Sequence, residues 1–353
     1  MKAASPLPIR RAVLQMRAYN PPLEGRIDKL RLDFNENPIG CSPAVLRALA
    51  GLRGRSISAY PEQERVRRHL AAHFAVTPSE LLLTNGTDEA LHVVVSTFVE
   101  PGDSVLLVEP TYAMYRFYAE LAGARIVAPQ YDNSFEFPWK DVLAALRASP
   151  RVFFLPNPNS PTGNLLPLRN LQVILKAARR TMVVIDEAYF EFSGVTAIRS
   201  IRRYRNLIVT RTFSKAAGLA GLRLGCMFVH RSLAANMRKA QSPYPVNAAA
   251  LAAAEAAIGD RAFIARTVRE VRRGRRELEG GLARLGIRYF PSGGNFVLLR
   301  FGERAKKIVE ALARKGILVR DRSSDFEGEG YARVTVGTLA QVRRLLRELE
   351  EIL

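Results

Sequence analysis

The sequence predicts an α/β fold: a mostly parallel central sheet within a large three-layer α/β/α domain, followed by a smaller α+β domain. Three observations carry this expectation. Short continuous apolar runs recur through the middle of the chain, as strands buried on both faces of a parallel sheet require. Helical patterns separate the runs, which is the alternation of a layered α/β architecture. After about Ser242, long Arg/Glu/Leu helical patterns alternate with short strands of period two.

Taken in order, Leu81-Leu82-Leu83 leads into Thr84-Asn85-Gly86-Thr87-Asp88-Glu89, and Val105 to Val108 into Glu109-Pro110-Thr111-Tyr112. Val152 to Leu155 leads into Pro156-Asn157-Pro158-Asn159-Ser160-Pro161-Thr162-Gly163. Val183-Val184-Ile185 precedes Asp186-Glu187-Ala188-Tyr189, and Leu207-Ile208-Val209 precedes Thr210-Arg211-Thr212-Phe213-Ser214-Lys215. Ligands of open α/β sheets bind beyond the carboxyl ends of the strands. Each polar motif stands at such an end, so all of them can converge on one site. The domain change is expected near Gln241-Ser242-Pro243-Tyr244-Pro245. Beyond it, Ala248 to Ala257 is a strong helix former, and Asn295 to Leu299 and Arg333 to Val336 read as strands.

With 353 residues, 48% apolar and 24% charged, the chain has the composition of an ordinary globular protein of two lobes rather than a disordered one. No apolar run reaches the roughly 18 residues of a membrane span. Met1 to Arg17 is mixed and basic, without the apolar segment of a secretory signal. Cys41 and Cys226 form no CxxC pattern, so a reducing cytoplasmic setting is the expectation. The formal charge of +20 raises the question of nucleic acid. Its densest stretch, Arg261 to Arg288, holds nine arginines and three glutamates at mostly helical spacing. That is the pattern of a solvated helix face, without the interleaved aromatics of a single-strand platform. No zinc-finger or RNP-like pattern accompanies it, and nucleic acid is not expected as a partner.

Several chemistries are missing. There is no GxxxxGK[ST] loop and no GxGxxG. His69 and His73 lack the following glutamate of a zinc protease, so no metal site is expected. What remains is a lysine. Only nine of the 53 basic residues are lysines, and Lys215 stands directly after a buried strand in Thr212-Phe213-Ser214-Lys215. Lysine can lose its proton on burial and form a Schiff base, which arginine cannot. A Gly-rich apolar segment with Arg223 follows. Asp186, at the end of another buried strand, is costly unless a cation or donor meets it. Gly86-Thr87-Asp88-Glu89 opens a helix whose free N–H groups can bind an anion. Together these predict a phosphate held by a helix start, hydroxyls and Arg223, with a lysine close by.

With these motifs the chain resembles fold-type I pyridoxal-phosphate aminotransferases, and within them the histidinol-phosphate aminotransferase family. The likeness covers nearly the whole chain. It also includes Asp33-Phe34-Asn35-Glu36-Asn37-Pro38, Tyr60-Pro61-Glu62, Pro110-Thr111-Tyr112, Asn295-Phe296-Val297 and Arg333-Val334-Thr335-Val336-Gly337. Each motif alone is weak; their order and spacing together are specific. The resemblance implies a segment 1–40 serving the small domain and the substrate site, a cofactor-binding domain 41–241 and a small domain 242–353.

By the same resemblance Lys215 is the Schiff-base lysine and proton carrier, and Asp186 pairs with the pyridinium nitrogen. Tyr189 meets the cofactor 3′-oxygen and Tyr112 stacks on the ring. Gly86, Thr87, Asp88, Thr212, Ser214 and Arg223 hold the cofactor phosphate, and Tyr60 reaches that of the neighbouring subunit in a homodimer. The family often has asparagine directly before Pro-Thr-Gly; here Ser160 stands there and Asn159 precedes it, so Asn159 is the expected cofactor contact. Arg333 and Arg320 are implied for the substrate anion, with Tyr19 and Asn35 also on the substrate side. The implied reaction exchanges an amino group between histidinol phosphate and 2-oxoglutarate, giving imidazole-acetol phosphate and glutamate. Transamination of phenylalanine or tyrosine, and decarboxylation of a phosphorylated amino acid, remain open on the same fold. A pure nucleic-acid binder would have no need to retain Lys215, Asp186, Tyr189 and Arg223 together.

Overall fold

A computed structural model of the chain describes residues 8–19 and 22–353. Residues 1–7 and 20–21 of the N-terminal segment lie outside the described residues. Strand β1 (Leu30–Leu32) precedes a seven-stranded sheet made of β2 (Leu81–Asn85), β3 (Ser104–Leu106), β4 (Arg125–Val127), β5 (Val152–Pro156), β6 (Met182–Asp186), β7 (Leu207–Thr212) and β8 (Leu224–Val229). Its order is β2-β8-β7-β6-β5-β3-β4. Only β8 runs against its neighbours, β2 and β7; the remaining pairings are parallel. All five apolar runs of the middle of the chain are strands of this sheet. The sequence reading lacked β4, a three-residue edge strand, and β8, which is continuous with the Gly-rich motif before it.

Alternation explains why the runs look uniformly apolar. Successive strand side chains face opposite sides of a sheet. Val183, Ile185, Leu207 and Val209 therefore join one core, while Val184 and Ile208 join the other. Helices cover both faces, so neither set meets water. Helix Gly86–Phe98 buries Leu91, Val94 and Val95 on one side, and helix Leu168–Ala177 buries Leu171, Ile174 and Leu175 on the other.

A second sheet contains β9 (Arg288–Phe290), β10 (Phe296–Arg300), β11 (Ile317–Asp321) and β12 (Tyr331–Thr335), in the order β1-β11-β12-β10-β9. Strand β1 pairs parallel to β11 from the far end of the chain, and the other pairings are antiparallel. Residues just after β1 are thereby fixed to this sheet. Packing does not change at residue 242. Helix Ala248–Gly259 lays Ala250, Ala253, Ala254 and Ala257 into the core of the seven-stranded sheet, because its small side chains permit close approach. The long helix Arg261–Arg284 that follows still packs Ile264 against the same core before its later turns join the core of the second sheet.

That helix buries Phe263, Thr267, Val271, Gly274 and Leu278 along one stripe, while Arg261, Arg266, Arg269, Arg272, Arg273, Arg276 and Arg284 are exposed. Arg275 is the exception: half-buried, its guanidinium donates to the carbonyls of Ser292 and Gly294. The stripe presses so closely on the second sheet that a Cβ on Gly274 would stand 2.3 Å from the Gly337 carbonyl oxygen. Among the described residues, no helix is long and apolar enough to cross a membrane.

Candidate active site

The carboxyl ends of β5, β6 and β7, the start of helix Gly86–Phe98, and strands β11 and β12 line one cavity of about 380 Å³. Asp186 is the last residue of β6 and is 5% exposed. The Tyr115 hydroxyl donates to its Oδ2 at 2.8 Å, and the Ala188 N–H to its Oδ1 at 3.1 Å. Burial raises the Asp186 pKa, and these bonds act against that rise by favouring the ionised form. Tyr115 is itself fully buried, its ring stacked on Phe154 at 5.3 Å. Sequence reasoning missed Tyr115. No local signal set it apart from an ordinary core tyrosine of helix Ala113–Leu121.

Lys215 follows β7 and lines the cavity. Its Nζ donates to the Phe34 carbonyl at 3.0 Å and stands 5.7 Å from the Tyr189 ring centre. Burial lowers the Lys215 pKa; Tyr189 opposes this and the nearby Arg333 charge adds to it. Tyr189 is oriented by Asn35, whose Nδ2 donates to the phenol oxygen at 2.8 Å. Asn35 in turn has a left-handed backbone, φ 55°, which asparagine tolerates better than most residues. Its Oδ1 accepts from Thr335 Oγ1 at 3.2 Å. Asn35 lines the cavity but is 1% exposed, so its side-chain contacts are with Tyr189 and Thr335.

An anion-binding corner forms at the helix start. Gly86 takes φ +72°, and a Cβ there would stand 2.6 Å from Arg223 Nη2. Glycine is what lets the guanidinium lie over this turn. Arg223 Nη2 donates to Asp88 Oδ2 at 3.0 Å, and the Tyr112 hydroxyl donates to Asp88 Oδ1 at 2.9 Å. Thr212 Oγ1 donates to Ser214 Oγ at 2.9 Å. Thr87 Oγ1 is buried with no partner among the described residues. An unpaired hydroxyl, an open first helical turn and a guanidinium fit one phosphate group.

A second cationic wall comes from the five-stranded sheet. Arg320 and Arg333 are direct cross-strand partners on β11 and β12, and both line the cavity. Arg333 donates to Ser160 Oγ at 2.9 Å and to the Asp33 carbonyl at 2.6 Å. Its Nε is buried without a partner among the described residues, and burial brings its pKa down to about 10. Arg322, missed in the sequence, lines the same cavity and pairs with Asp325. Its i, i+2 spacing from Arg320 was the legible signal, because alternate strand residues share a face.

Two expected residues, Asn159 and Tyr60, fall differently, whereas Tyr19 does line the cavity. Asn159 does not face the cavity: its side chain accepts from Thr111 at 2.7 Å and donates to the Pro110 carbonyl and Thr162. These bonds tie the loop together and turn Ser160 toward the cavity instead. Tyr60 lies outside the cavity, 76% exposed and stacked on Tyr244 at 4.2 Å. Tyr19 lines the mouth and is 39% exposed.

The profile of the aminotransferase class I and II family matches residues 27–349. The histidinol-phosphate aminotransferase of Symbiobacterium thermophilum is 38% identical, covering 98% of each chain. Histidinol-phosphate aminotransferase 1 of Carboxydothermus hydrogenoformans is 35% identical, also over 98% of each. The crystal structure of the Sinorhizobium meliloti histidinol-phosphate aminotransferase with pyridoxal-5′-phosphate superposes with a TM-score of 0.90. It is 26% identical, covering 99% of this chain and 98% of that one. A family match spanning both sheets, joined to relatives alike from end to end, establishes that this chain belongs to the class I and II aminotransferases.

Proposed function

We propose that the chain is a pyridoxal-phosphate-dependent transaminase that exchanges an amino group between histidinol phosphate and 2-oxoglutarate, with imidazole-acetol phosphate and glutamate as the products. One observation carries this reading: a single cavity holds Lys215 together with two separate cationic corners, one from each sheet. The Arg223 corner fits the cofactor phosphate. The Arg320, Arg322 and Arg333 wall then remains for a substrate anion. The names of the relatives reported above support the same substrates.

When bound, pyridoxal phosphate supplies an aldehyde that condenses with a primary amine and a protonated ring that accepts the electron pair released from Cα. The chain's residues do the rest. Asp186, whose ionised form the bonds from Tyr115 and the Ala188 N–H favour, would pair with the ring nitrogen. Lys215, its ammonium destabilised by burial, is the group that takes a proton from the substrate Cα and returns it. Tyr189, aimed by Asn35, would hold the ring oxygen, and Tyr112 would lie against the ring. Arg333 and Arg320 orient the substrate's anionic group. Tyr19 helps exclude water at the mouth.

The working assembly in this reading is a cytoplasmic homodimer, in which the exposed Tyr60 of one subunit serves the cofactor phosphate of the other. The large unit runs from 41 to 241 and is extended by helix Ala248–Gly259, which packs on the same core, and the segment 1–40 works with the C-terminal unit. The deciding test compares initial rates with histidinol phosphate, phenylalanine and threonine phosphate as amine substrates. The reading expects a clear preference for histidinol phosphate. A preference for phenylalanine, or release of carbon dioxide from threonine phosphate, refutes it.

A further inference from the structure

A second cavity, of about 510 Å³, lies behind the candidate active site. The two share one residue: Thr212, at the end of β7, lines both. The second cavity is bounded by the short helix Phe190–Ser193, the turn at His73-Phe74 and the first half of helix Arg261–Arg284. Its walls are largely apolar, with Phe74, Phe190, Phe213, Ile264 and Val268 among the lining residues. Three arginines of the long helix, Arg261, Arg269 and Arg272, also line it and are exposed. None of the three has a carboxylate partner among the described residues. This separates them from Arg273, which pairs with Glu270 at 3.0 Å.

The cavity floor is built rather than incidental. The Arg211 guanidinium lies 3.5 Å from the Phe190 ring centre and 5.4 Å from that of Phe74. Its Nε donates to Glu187 Oε2 at 3.0 Å, and both side chains are buried. That pair fixes the aromatic walls, and Glu187 directly follows Asp186 in the chain. Apolar walls with a few convergent polar groups are the usual makeup of a small-molecule site. The sign of the unpaired charge selects the ligand.

We infer that this second cavity is a binding site for a small organic anion with an aromatic or branched apolar body, its acidic group on Arg269 and Arg272. Among the described residues, Glu191 is the one carboxylate lining the cavity. Burial pushes its pKa up to about 7, with Arg211 acting against the shift and Glu187 with it. His73, itself held below its usual pKa by burial and by Arg261 and Arg211, is the remaining titratable group there. At neutral pH the negative charge opposing an anionic ligand is therefore only partial. An occupant of this cavity touches the strand end that carries Thr212, Phe213 and, two residues on, Lys215. The binding claim stands apart from the proposed reaction; only its coupling to Lys215 rests on that reading.

The test uses the cofactor-loaded full chain and 1-anilinonaphthalene-8-sulfonate, an aromatic anion whose fluorescence rises in apolar surroundings. Saturable binding is expected that persists with 2-oxoglutarate and histidinol phosphate present in excess. The double variant Arg269→Glu/Arg272→Glu weakens it at least tenfold. It leaves binding of N-phenyl-1-naphthylamine, the same rings without the sulfonate, within twofold. Ala265→Trp, which fills the cavity, abolishes binding of both probes, with an unchanged thermal midpoint and cofactor absorbance confirming the fold. Displacement of the anion by substrate, or equal affinity in the parent and both variants, overturns the assignment. Failure of the substrate-rate test above leaves these binding outcomes untouched, so the two readings fail separately.

Discussion

Removing the hydroxyl of Tyr115, donor of the largest of the bonds that favour the ionised form, tests the charge state of Asp186. Tyr115→Phe keeps the ring on Phe154 and deletes only the 2.8 Å bond. That bond favours the carboxylate, so without it the Asp186 pKa rises further and the ion is lost at higher pH on acidification. The acidic limb of the kcat profile is expected to move to higher pH. A hydrogen bond to a charged group contributes about 1.5–3 kcal/mol, so the limb is expected to move by about one to two pH units. An unmoved acidic limb would mean that Tyr115 merely packs. Arg333 acts on Lys215 through charge. Its guanidinium helps lower the lysine pKa; in Arg333→Gln the amine regains protons, and cofactor capture by the apoenzyme shifts to higher pH. Borohydride trapping across a pH series reads this directly, and label on any residue but Lys215 defeats the assignment of the lysine itself. These two residues also mark the limits of sequence reading. Arg333 was recoverable from its motif. Tyr115 was not, because a buried tyrosine in an amphipathic helix looks like core until its hydroxyl is given a partner.

Elements were legible where local pattern decides and obscure where contacts are distant. The runs of β5, β6 and β7 announce themselves because both faces are buried. The placement of Ala248–Gly259 was misjudged because alanine content specifies a helix but not the layer it joins. Asn159 shows the same limit in a loop, where bonds to Thr111, Pro110 and Thr162 decide which of two adjacent residues faces the cavity. Two predictions belong to this scale. Gly274→Ala raises intrinsic helix propensity by about 1 kcal/mol. The added Cβ, 2.3 Å from the Gly337 oxygen, forces the long helix off the second sheet, and overpacking costs about 1–3 kcal/mol. Denaturant unfolding is expected to give a net loss; a gain would mean that the contact relaxes freely. The turn before β2 carries the second prediction. Glu80 accepts from Arg202 at 2.9 and 3.0 Å and from the Thr77 N–H at 2.8 Å. Arg202 chiefly, with Thr77, holds its pKa down to about 2, against the cost of burial. A carboxylate depressed in the folded state stabilises the fold above its unfolded pKa of 4.5, and that stability is lost as pH falls toward about 2. Because Arg202 is exposed, solvent screening reduces the contribution to about 1 kcal/mol. Glu80→Gln should cost that amount at pH 7 and flatten the acid limb of the stability curve.

For the whole molecule, the charge of +20 remains mostly outside the candidate site. Arg223, Arg320, Arg322 and Arg333 line the cavity, whereas the long helix displays its arginines outward. A positive field of this size attracts anionic substrates over a range set by a Debye length of about 10 Å at 0.1 M salt. The kcat/KM for a phosphorylated substrate is therefore expected to fall as sodium chloride rises, with kcat nearly constant; a flat salt profile would leave the charge without a kinetic role. The two-sheet plan, with its sites at strand ends, was readable from sequence because it follows from alternation. The way the sheets meet was not, since it depends on β1 crossing to pair with β11. That crossing gives the bond between Lys215 Nζ and the Phe34 carbonyl a further meaning. Phe34 travels with one sheet and Lys215 with the other, so their 3.0 Å separation is a gauge of the gap between the two layers. A hydrogen bond weakens sharply beyond about 3.5 Å. A parting of the layers by little more than half an ångström would free the amine, and a closing would fix it again, tying the lysine's availability to the spacing of the two halves of the protein.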